Sequence, residues 1–525
     1  MNTRTKKYLL AFILCLPVIY LYSVHFFYHD ADHKPTGLIQ WEHALYMISA
    51  KEYQSGNASI LYQYPLAGYN NNPAVFFQPQ LIVLGYLWKW TGIAPGILLS
   101  LFGLLFAFFT AKILVEIIYL LVPDSRRKGL LSFLFMWGGG ILAICGWLLH
   151  AFYFKDGDIS QHIFYLDPGD GWWCLNFGRS LIYPLEAYYH FLFITVIYCI
   201  LKNKTILASG LLLLLTISHP YTATELMAIV AVWVTAEYFY FKNSNLYKKD
   251  ILPVYGAILF YIIFYVLLTR YVPAYKMLTQ KSSQDWGYKA WNFIPAYLLV
   301  WLLSFFAIKN IPQLKKHFSN DSNRLFFYWG TVAFLLTVHG FAIKPIQPLH
   351  FTRGYVYAGF FLFALTSITK LLDAGFKNTA TKLVTAIAIL IFLSDNLAWF
   401  YFNTNKNITG VTLDKPRQEL IGYFKTAAPN GWIVDASGND HETAAMLQLY
   451  TPQKGWIVHE LLTPDKEQRD AAIKNLLSPI PVIDEEWKQR PLYLYSIKNN
   501  VADRDSVLHF PLTFENQKYR VYKIN

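Results

Sequence analysis

The chain has 525 residues, of which 55% are hydrophobic and only 15% charged, against roughly a quarter in soluble proteins. Apolar runs of about 20 residues, each enough to cross a bilayer, recur from residue 8 to residue 402, so the composition excludes a soluble protein and predicts a polytopic α-helical membrane protein. The net charge of +12 does not indicate nucleic-acid binding, because the basic residues lie in short loops between apolar runs.

The apolar runs predict about eleven transmembrane helices. The first run, 8–28, is too long and aromatic for a cleaved signal peptide and is interpreted as a retained anchor. Dense Lys and Arg clusters mark the cytoplasmic side, which places the N-terminus in the cytoplasm and the C-terminus outside. The proline-flanked run 76–90 is expected to lie at the interface, since a span there would place Arg126–Lys128 outside. The predicted spans are approximately 8–28, 94–122, 129–150, 181–201, 205–220, 222–241, 251–270, 291–308, 325–343, 354–372 and 383–402.

The segments outside the spans form large external loops and a tail. The first external loop, 29–93, is the longest and contains a predicted amphipathic helix at 40–54. The tail alternates predicted strands with helices and, at about 120 residues, is long enough to bury a core. We therefore predict a transmembrane domain at 1–402 and a small α/β extracytoplasmic domain at 403–525. The tail's predicted strands are 431–436, 455–459, 492–497 and 519–524, and its predicted helices are 442–449 and 465–477.

Two pairs of aspartates lie in external loops. Asp30 and Asp32 directly follow the first span, and Asp156 and Asp158 flank a glycine in the second large loop. Carboxylates at this spacing suit a divalent cation such as Mg²⁺ or Mn²⁺, or a general base beside a second charge. A solvated loop at the membrane border is the alternative for each pair taken alone. We predict Asp30 and Asp32 as catalytic residues, with all four aspartates as candidate metal ligands.

Aromatic and histidine side chains add candidates for substrate binding. Trp172 and Trp173 suit stacking on a sugar ring, and the alternative is an interfacial aromatic belt. His219 precedes Pro220 where the apolar pattern breaks, and a proline there frees backbone groups that must line protein or water. His219 is predicted to bind phosphate or relay a proton, against the alternative of a packing histidine.

A cationic cluster precedes the tenth predicted span. Lys344, His350 and Arg353 lie within ten residues on the predicted external side, where the positive-inside rule disfavours them. Arg353 can bind phosphate oxygens through two parallel hydrogen bonds. The alternative is anchoring of the helix end by long side chains that reach the interface. We predict an anion-binding site here.

These features together match the needs of a polyprenyl-phosphate-linked sugar. The leaving phosphate gains charge as the glycosidic bond breaks, so a cation or metal beside it lowers the barrier. The acceptor hydroxyl needs a base, which a loop carboxylate supplies. The aromatic side chains suit the sugar ring, and the membrane receives the lipid tail.

The layout resembles the GT-C superfamily of integral-membrane glycosyltransferases. Asp30 and Asp32 match the position of that family's acidic motif in the first external loop, and Asp156 and Asp158 resemble a second Asp-x-Asp that some members use with the first to hold a metal. The segment beginning at Gln78 is similar to the start of a juxtamembrane helix, and 455–469 resembles external domains of bacterial members. The chain departs from mannosyltransferase relatives, which have Asp-Glu in the first loop, and lacks the Trp-Trp-Asp triplet of oligosaccharyltransferases.

The resemblance implies an inverting glycosyltransferase at the external face of a bacterial inner membrane. It would move a sugar from a polyprenyl-phosphate donor to a glycan, lipid or protein acceptor of the cell envelope. A transporter or flippase of a lipid-linked or anionic solute is the alternative, although the chain has one clear helix break and no internal repeat. An inactive assembly subunit with the same fold is a third interpretation.

Overall fold

The protein is described here from a computed structural model. The structure describes residues 2–27, 30–68, 73–167, 176–242, 248–273, 275–276, 292–306, 308, 311–404, 410–498 and 510–525. Helices dominate as far as residue 404, and strands are concentrated in the tail. Proline occupies the first turn of several helices, where its missing N–H costs no hydrogen bond.

The helices up to the middle of the chain are α1 (Thr3–Phe27), α2 (His43–Gln54), α3 (Pro79–Thr91), α4 (Pro95–Leu121), α5 (Lys128–Trp137), α6 (Leu142–Leu149), α7 (Ile159–Ile163), α8 (Phe177–Ser180), α9 (Pro184–Leu201), α10 (Thr205–Ser218) and α11 (Pro220–Thr235). The later helices are α12 (Lys248–Tyr271), α13 (Phe293–Phe306), α14 (Ile311–Phe318), α15 (Asp321–Thr337), α16 (Tyr355–Phe363), α17 (Leu365–Gly375), α18 (Thr379–Thr404), α19 (Lys415–Thr426), α20 (His441–Tyr450) and α21 (Lys466–Leu476). Short turns of π-helix (His150–Phe154, Ala236–Tyr240) and of 3-10 helix (His339–Phe341, Pro348–Phe351) complete the helical set.

Several helices are long and apolar enough to cross a membrane. Among the described residues these are α1, α4, α9, α12 and α18, and three bent pairs raise the number to eight if each pair is one span. The pairs are α5 with the helix that continues to Phe154, α13 with α14, and Pro348–Phe363 with α17. The remaining three predicted spans correspond to α10, α11 and α15, whose 14, 16 and 17 residues fall short of the ~20 that a span needs. The count of eleven therefore stays a prediction.

The break between α5 and α6 lies at three consecutive glycines, 138–140. Asp395 of α18 is buried and accepts the backbone N–H of Gly140 at 3.0 Å and that of Ala143 at 2.9 Å. The first N–H groups of a helix have no partner within the helix, and in an apolar bundle they need one from elsewhere. Asp395 supplies it, which explains how a membrane helix tolerates the interruption.

The chain divides into two compact units. The first unit comprises Met1–Leu21, Phe102–Val266 and Ser282–Lys406. The second unit comprises Tyr22–Leu101, Leu267–Lys281 and Asn407–Asn525. The tail thus forms a unit with the first loop, and its assignment as a separate domain stays a prediction.

In the first unit, α15 and α16 pack backbone to backbone at two glycines. A Cβ atom on Gly359 would lie 2.3 Å from the backbone nitrogen of Gly330, and one on Gly330 would lie 2.9 Å from the ring of Phe360. Small residues allow such close approach, which is the usual means of associating helices in a bilayer. These two positions therefore fix the distance between α15 and α16.

In the second unit, the helices of the first loop pack against each other and a short ladder ties the loop to the tail. A Cβ on Gly85 of α3 would lie 2.4 Å from the carbonyl oxygen of Ala50 in α2. Strand β1 (His33–Pro35) pairs antiparallel with β2 (Thr412–Asp414). The predicted helices at 40–54 and 76–90 are confirmed as α2 and α3, and Gly92, with φ of 65°, ends α3 in the left-handed conformation.

The tail builds a five-stranded mixed sheet with the order β4-β3-β5-β7-β6. Its strands are β3 (Trp432–Asp435), β4 (Lys454–Gly455), β5 (Leu492–Ile497), β6 (Leu512–Glu515) and β7 (Tyr519–Lys523). Trp432, Trp456 and Trp487 pack together in its core, with ring centroids 5.0 Å and 4.7 Å apart.

The two predicted tail helices are confirmed as α20 and α21. The predicted strand 455–459 is wrong beyond residue 455, because Thr463 Oγ1 takes up the N–H groups of Val458 and His459 in a loop.

Candidate functional sites of the two units

The first unit contains a polar cluster centred on Arg353, one of the predicted substrate-binding residues. Its Nη1 lies 2.8 Å from Glu186 Oε1, and both side chains are largely buried, with 13% and 7% exposed. The backbone at Arg353 has an unusual conformation, since Arg353 and Gly354 both have positive φ. A Cβ on Gly354 would lie 2.6 Å from the nitrogen of Phe177, so only glycine fits there.

The carbonyl oxygen of Arg353 is also held. It accepts from Ser180 Oγ at 3.1 Å and lies 2.9 Å from His190 Nε2. His190 is fully buried and stacks on the ring of Tyr355, with centroids 4.6 Å apart. The side chain and the backbone of Arg353 are therefore both held in place, by Glu186 and His190 of α9 and by Ser180 of α8. These contacts give the guanidinium a defined position.

Two predicted histidines join this cluster. His219 Nδ1 accepts the backbone N–H of Thr222 at 3.3 Å and caps α11, which confirms the predicted break at Pro220. His350 Nδ1 lies 3.2 Å from Arg353 Nη2, and the centroids of the two imidazole rings are 6.4 Å apart. Each histidine stacks on a tyrosine: His219 on Tyr189 and His350 on Tyr221, both with ring centroids 4.4 Å apart. The fold thus brings together three of the residues predicted from the sequence.

This cluster can receive an anion through several N–H donors, but Glu186 already compensates one positive charge. Glu186 was absent from the sequence prediction because it lies in the apolar run of α9. A carboxylate in the first turn of a membrane helix was the available signal, since such residues are rare unless paired or functional. Any phosphate bound by Arg353 would share the guanidinium with this carboxylate.

The other predicted residues of the first unit lie differently. Lys344 is exposed, as are Asp156 and Asp158, which follow the π-helical turn that ends at Phe154. Trp172 and Trp173 lie outside the described residues. Their roles stay predictions.

In the second unit, Asp30 and Asp32 are both exposed at the start of the first loop. Asp30 Oδ1 lies 2.5 Å from His33 Nδ1 and accepts the backbone N–H of Asp32 at 3.1 Å. The hydrogen bond from His33 lowers the pKa of Asp30 below its usual value. Asp30 is therefore held as a carboxylate, which suits a fixed negative charge or cation ligand better than a proton acceptor.

A third acidic residue of the first loop, Glu42, directly precedes α2 and was not predicted. His459 Nε2 lies 3.7 Å from Glu42 Oε1, and the His459 ring packs at 5.4 Å from the Trp41 ring. His459 Nδ1 accepts the backbone N–H groups of Leu461 and Leu462 at 3.0 Å and 3.2 Å. Its proton therefore resides on Nε2, which faces the carboxylate of Glu42.

A metal role for the aspartates remains a prediction. Among the residues that the structure describes, no three His, Cys, Asp or Glu side chains gather closely enough to hold an ion. Asp30 and Asp32 offer oxygen donors of the kind that Mg²⁺ and Mn²⁺ prefer, and Mg²⁺ commonly retains several waters beside one or two carboxylates. Asp30 and Asp32 therefore suit a cation that keeps several waters better than a cation whose ligands all come from the protein.

Comparison with solved structures finds the same fold in ArnT and in an archaeal oligosaccharyltransferase. ArnT from Cupriavidus metallidurans, solved bound to undecaprenyl phosphate, superposes with a TM-score of 0.53 at 9% identity over 98% of this chain and 97% of its own. The apo structure of the same enzyme gives 0.53 at 10% identity, over 99% and 98%. The Archaeoglobus fulgidus oligosaccharyltransferase, in complex with Zn and sulfate, gives 0.51 at 11% identity, over 92% and 68%.

No protein-family model matches the chain, and no curated protein matches it. The chain therefore shares its fold with ArnT and with the oligosaccharyltransferase, as the resemblance in the sequence led us to expect.

Proposed function

We propose that this protein is a glycosyltransferase that moves a sugar from a polyprenyl-phosphate-linked donor to a cell-envelope acceptor. The observation that carries the proposal is the fold shared with ArnT along nearly the whole of both chains, solved there with undecaprenyl phosphate. The cluster of Arg353, His350 and His219 supports it, because N–H donors suit the phosphate of such a donor.

The proposed reaction is a single displacement at the anomeric carbon of the donor sugar. The acceptor oxygen forms a bond to that carbon, the bond from the carbon to the phosphate oxygen breaks, and polyprenyl phosphate leaves. A carboxylate takes the proton of the acceptor hydroxyl. Arg353, His350 and His219 would stabilise the charge that develops on the leaving phosphate.

Three carboxylates are candidates for the base: Asp30, Asp32 and Glu42. Asp30 is disfavoured as the base, because His33 lowers its pKa. The Glu42 carboxylate lies 3.7 Å from His459 Nε2, beyond hydrogen-bond distance, and its side chain is 56% exposed. We assign the base to Asp32 or Glu42 and give Asp30 the role of a fixed charge or cation ligand.

We also propose that the first loop and the tail face the exterior of a bacterial inner membrane, with the N-terminus in the cytoplasm. The distribution of Lys and Arg supports this orientation. Labelling of single introduced cysteines in intact cells with an impermeant reagent tests it. Cysteine in place of exposed Lys488 should react and cysteine in place of exposed Arg4 should not.

The function is tested in two steps. A deletion strain is compared with wild type for its envelope glycans and lipids, since the missing sugar identifies donor and acceptor together. Purified protein is then given that donor and acceptor, and release of polyprenyl phosphate is measured. General-base catalysis contributes roughly 10²- to 10⁴-fold, so Asp32→Asn or Glu42→Gln should lower kcat by that factor.

Wild-type rates in Asp30→Asn, Asp32→Asn and Glu42→Gln, at normal membrane levels, would remove the assignment of these carboxylates. Movement of a lipid-linked solute across liposomes without any covalent product would instead favour a transporter.

A further inference from the structure

The second unit contains a large groove that none of the candidate catalytic carboxylates Asp30, Asp32 and Glu42 lines. Its volume is about 1,250 Å³, above the roughly 300–1,000 Å³ typical of small-molecule pockets. It is lined by residues of β1, α2, the C-terminal end of α3, the start of α4, α19 and the loop from α20 to β4. A site of this size accommodates a ligand longer than one sugar or one phosphate.

The charge of the groove is strongly one-sided. Five cationic side chains line it and Glu52 is its one acidic side chain, all of them among the described residues. The cations come from separate parts of the second unit: Lys34, Lys51, Lys425, Lys454 and Arg490. Because several positive charges line one concave surface, the field inside attracts an extended anion more than a point charge.

Lys51 is the most firmly placed of these cations. Its Nζ donates to the carbonyl oxygen of Gln448 at 2.6 Å and also to that of Thr451. Burial lowers the pKa of Lys51 to about 8, with Glu52 opposing and Lys454 adding to the shift. An ammonium has three donors, so one N–H remains beyond these two carbonyls for a ligand in the groove. A bound anion would offset the cost of keeping this buried amine charged.

The rest of the lining suits hydroxyl groups. Carboxamides from Gln54, Asn57, Gln63 and Asn430 contribute both donors and acceptors, and Trp88 contributes an indole ring. Saccharides are recognised by such amides, and an aromatic face covers the apolar side of a sugar ring. The combination of amides, one indole and clustered cations distinguishes this lining from that of a simple phosphate site.

We propose that this groove binds an anionic oligosaccharide, a chain of sugars that carry carboxylate or phosphate groups. That the ligand is the acceptor of the transferase rests on the proposed function, whereas the binding itself does not. His33, which contacts Asp30, directly precedes Lys34 and Pro35, which line the groove.

The test is calorimetric titration of the full-length protein in neutral detergent with tetragalacturonate, a carboxylated tetrasaccharide, without any donor. Saturable binding that weakens with added salt is expected. Lys425→Gln and Arg490→Gln should each weaken it by about fivefold, and Glu52→Gln should strengthen it. Lys425 is exposed, so its substitution leaves the core intact. Lys488→Gln is the matched control, because Lys488 is an exposed lysine of the same unit outside the groove.

Three comparison ligands separate the alternatives. Equal binding of maltotetraose, an uncharged tetrasaccharide, would contradict the role of charge. Full displacement by inorganic phosphate at the same concentration would identify a simple anion site, and displacement by vesicles containing phosphatidylglycerol would identify a lipid surface. Each result would overturn the proposal, as would absence of binding or an unchanged affinity in both groove variants. Retained binding in Glu42→Gln, together with lost transfer, would separate this site from the proposed catalysis.

Discussion

Arg353 Nη1 lies 2.8 Å from Glu186 Oε1 in the first unit, and this buried ion pair joins the segment before α16 to the first turn of α9. Buried ion pairs are weak contributors to stability, because the loss of hydration nearly cancels the attraction. His350 lies beside Arg353, and His219 lies beside His350. We therefore interpret the ion pair as a means of holding the guanidinium in a fixed position for binding. That interpretation can be separated from a purely structural role.

We predict that Arg353→Ala alone destabilises the protein by about 3–5 kcal/mol, because it leaves Glu186 buried without its partner. The double variant Arg353→Met/Glu186→Gln removes both charges and should recover most of that stability. If Arg353 binds the donor phosphate, the double variant should still show a strongly raised KM for the donor. Thermal unfolding in detergent and transfer kinetics measure the two effects. A double variant with wild-type kinetics would leave Arg353 with a structural role alone.

The acidic pair of the first loop gives a prediction of pH dependence. The His33 hydrogen bond lowers the pKa of Asp30, so the carboxylate stays ionised to lower pH in the folded protein. The associated stability is present above the unfolded pKa and is lost as the pH falls through the folded value. Removing the bond by His33→Ala should raise the pKa of Asp30 towards its ordinary value.

If the ionised form of Asp30 is needed for transfer, the acidic limb of the kcat/KM profile should therefore move to higher pH in His33→Ala. Rates at neutral pH should change little. Ser59→Ala, at an exposed position of the first loop outside the groove, serves as the control for disturbance of the loop. An acidic limb that stays in place would show that ionisation of Asp30 does not limit the reaction.

Much of the helical layout followed from the sequence, because runs of apolar residues and proline positions are local signals. The break at Pro220 and the helices α2 and α3 were predicted in this way. Pairings between distant segments carry no such signal. The ladder between β1 and β2 joins residues nearly 380 positions apart, and nothing in either short segment specifies its partner.

The candidate sites could also be predicted only in part. His219, His350 and Arg353 were chosen for their chemistry and are brought together. Glu186 and Glu42 were missed, because a single carboxylate within an apolar run or at a helix start does not indicate which residue it will contact. Their significance depends on partners distant in sequence: Arg353 for Glu186 and His459 for Glu42.

The packing of α15 on α16 gives a prediction that does not depend on function. Gly359→Ala adds a methyl group where the backbone nitrogen of Gly330 would lie 2.3 Å away, so the two helices must separate. Backbone atoms cannot move aside as a side chain can, and overpacking of this kind costs about 1–3 kcal/mol. Gly210→Ala in α10 is the matched control, since a Cβ there meets nothing within 4 Å and alanine is favoured over glycine in a helix by roughly 0.5–1 kcal/mol.

Thermal unfolding in the same detergent measures the effect. The unfolding midpoint of Gly359→Ala should lie below that of wild type, and the midpoint of Gly210→Ala should lie at or above it. Equal midpoints for the two variants would contradict the close contact between α15 and α16.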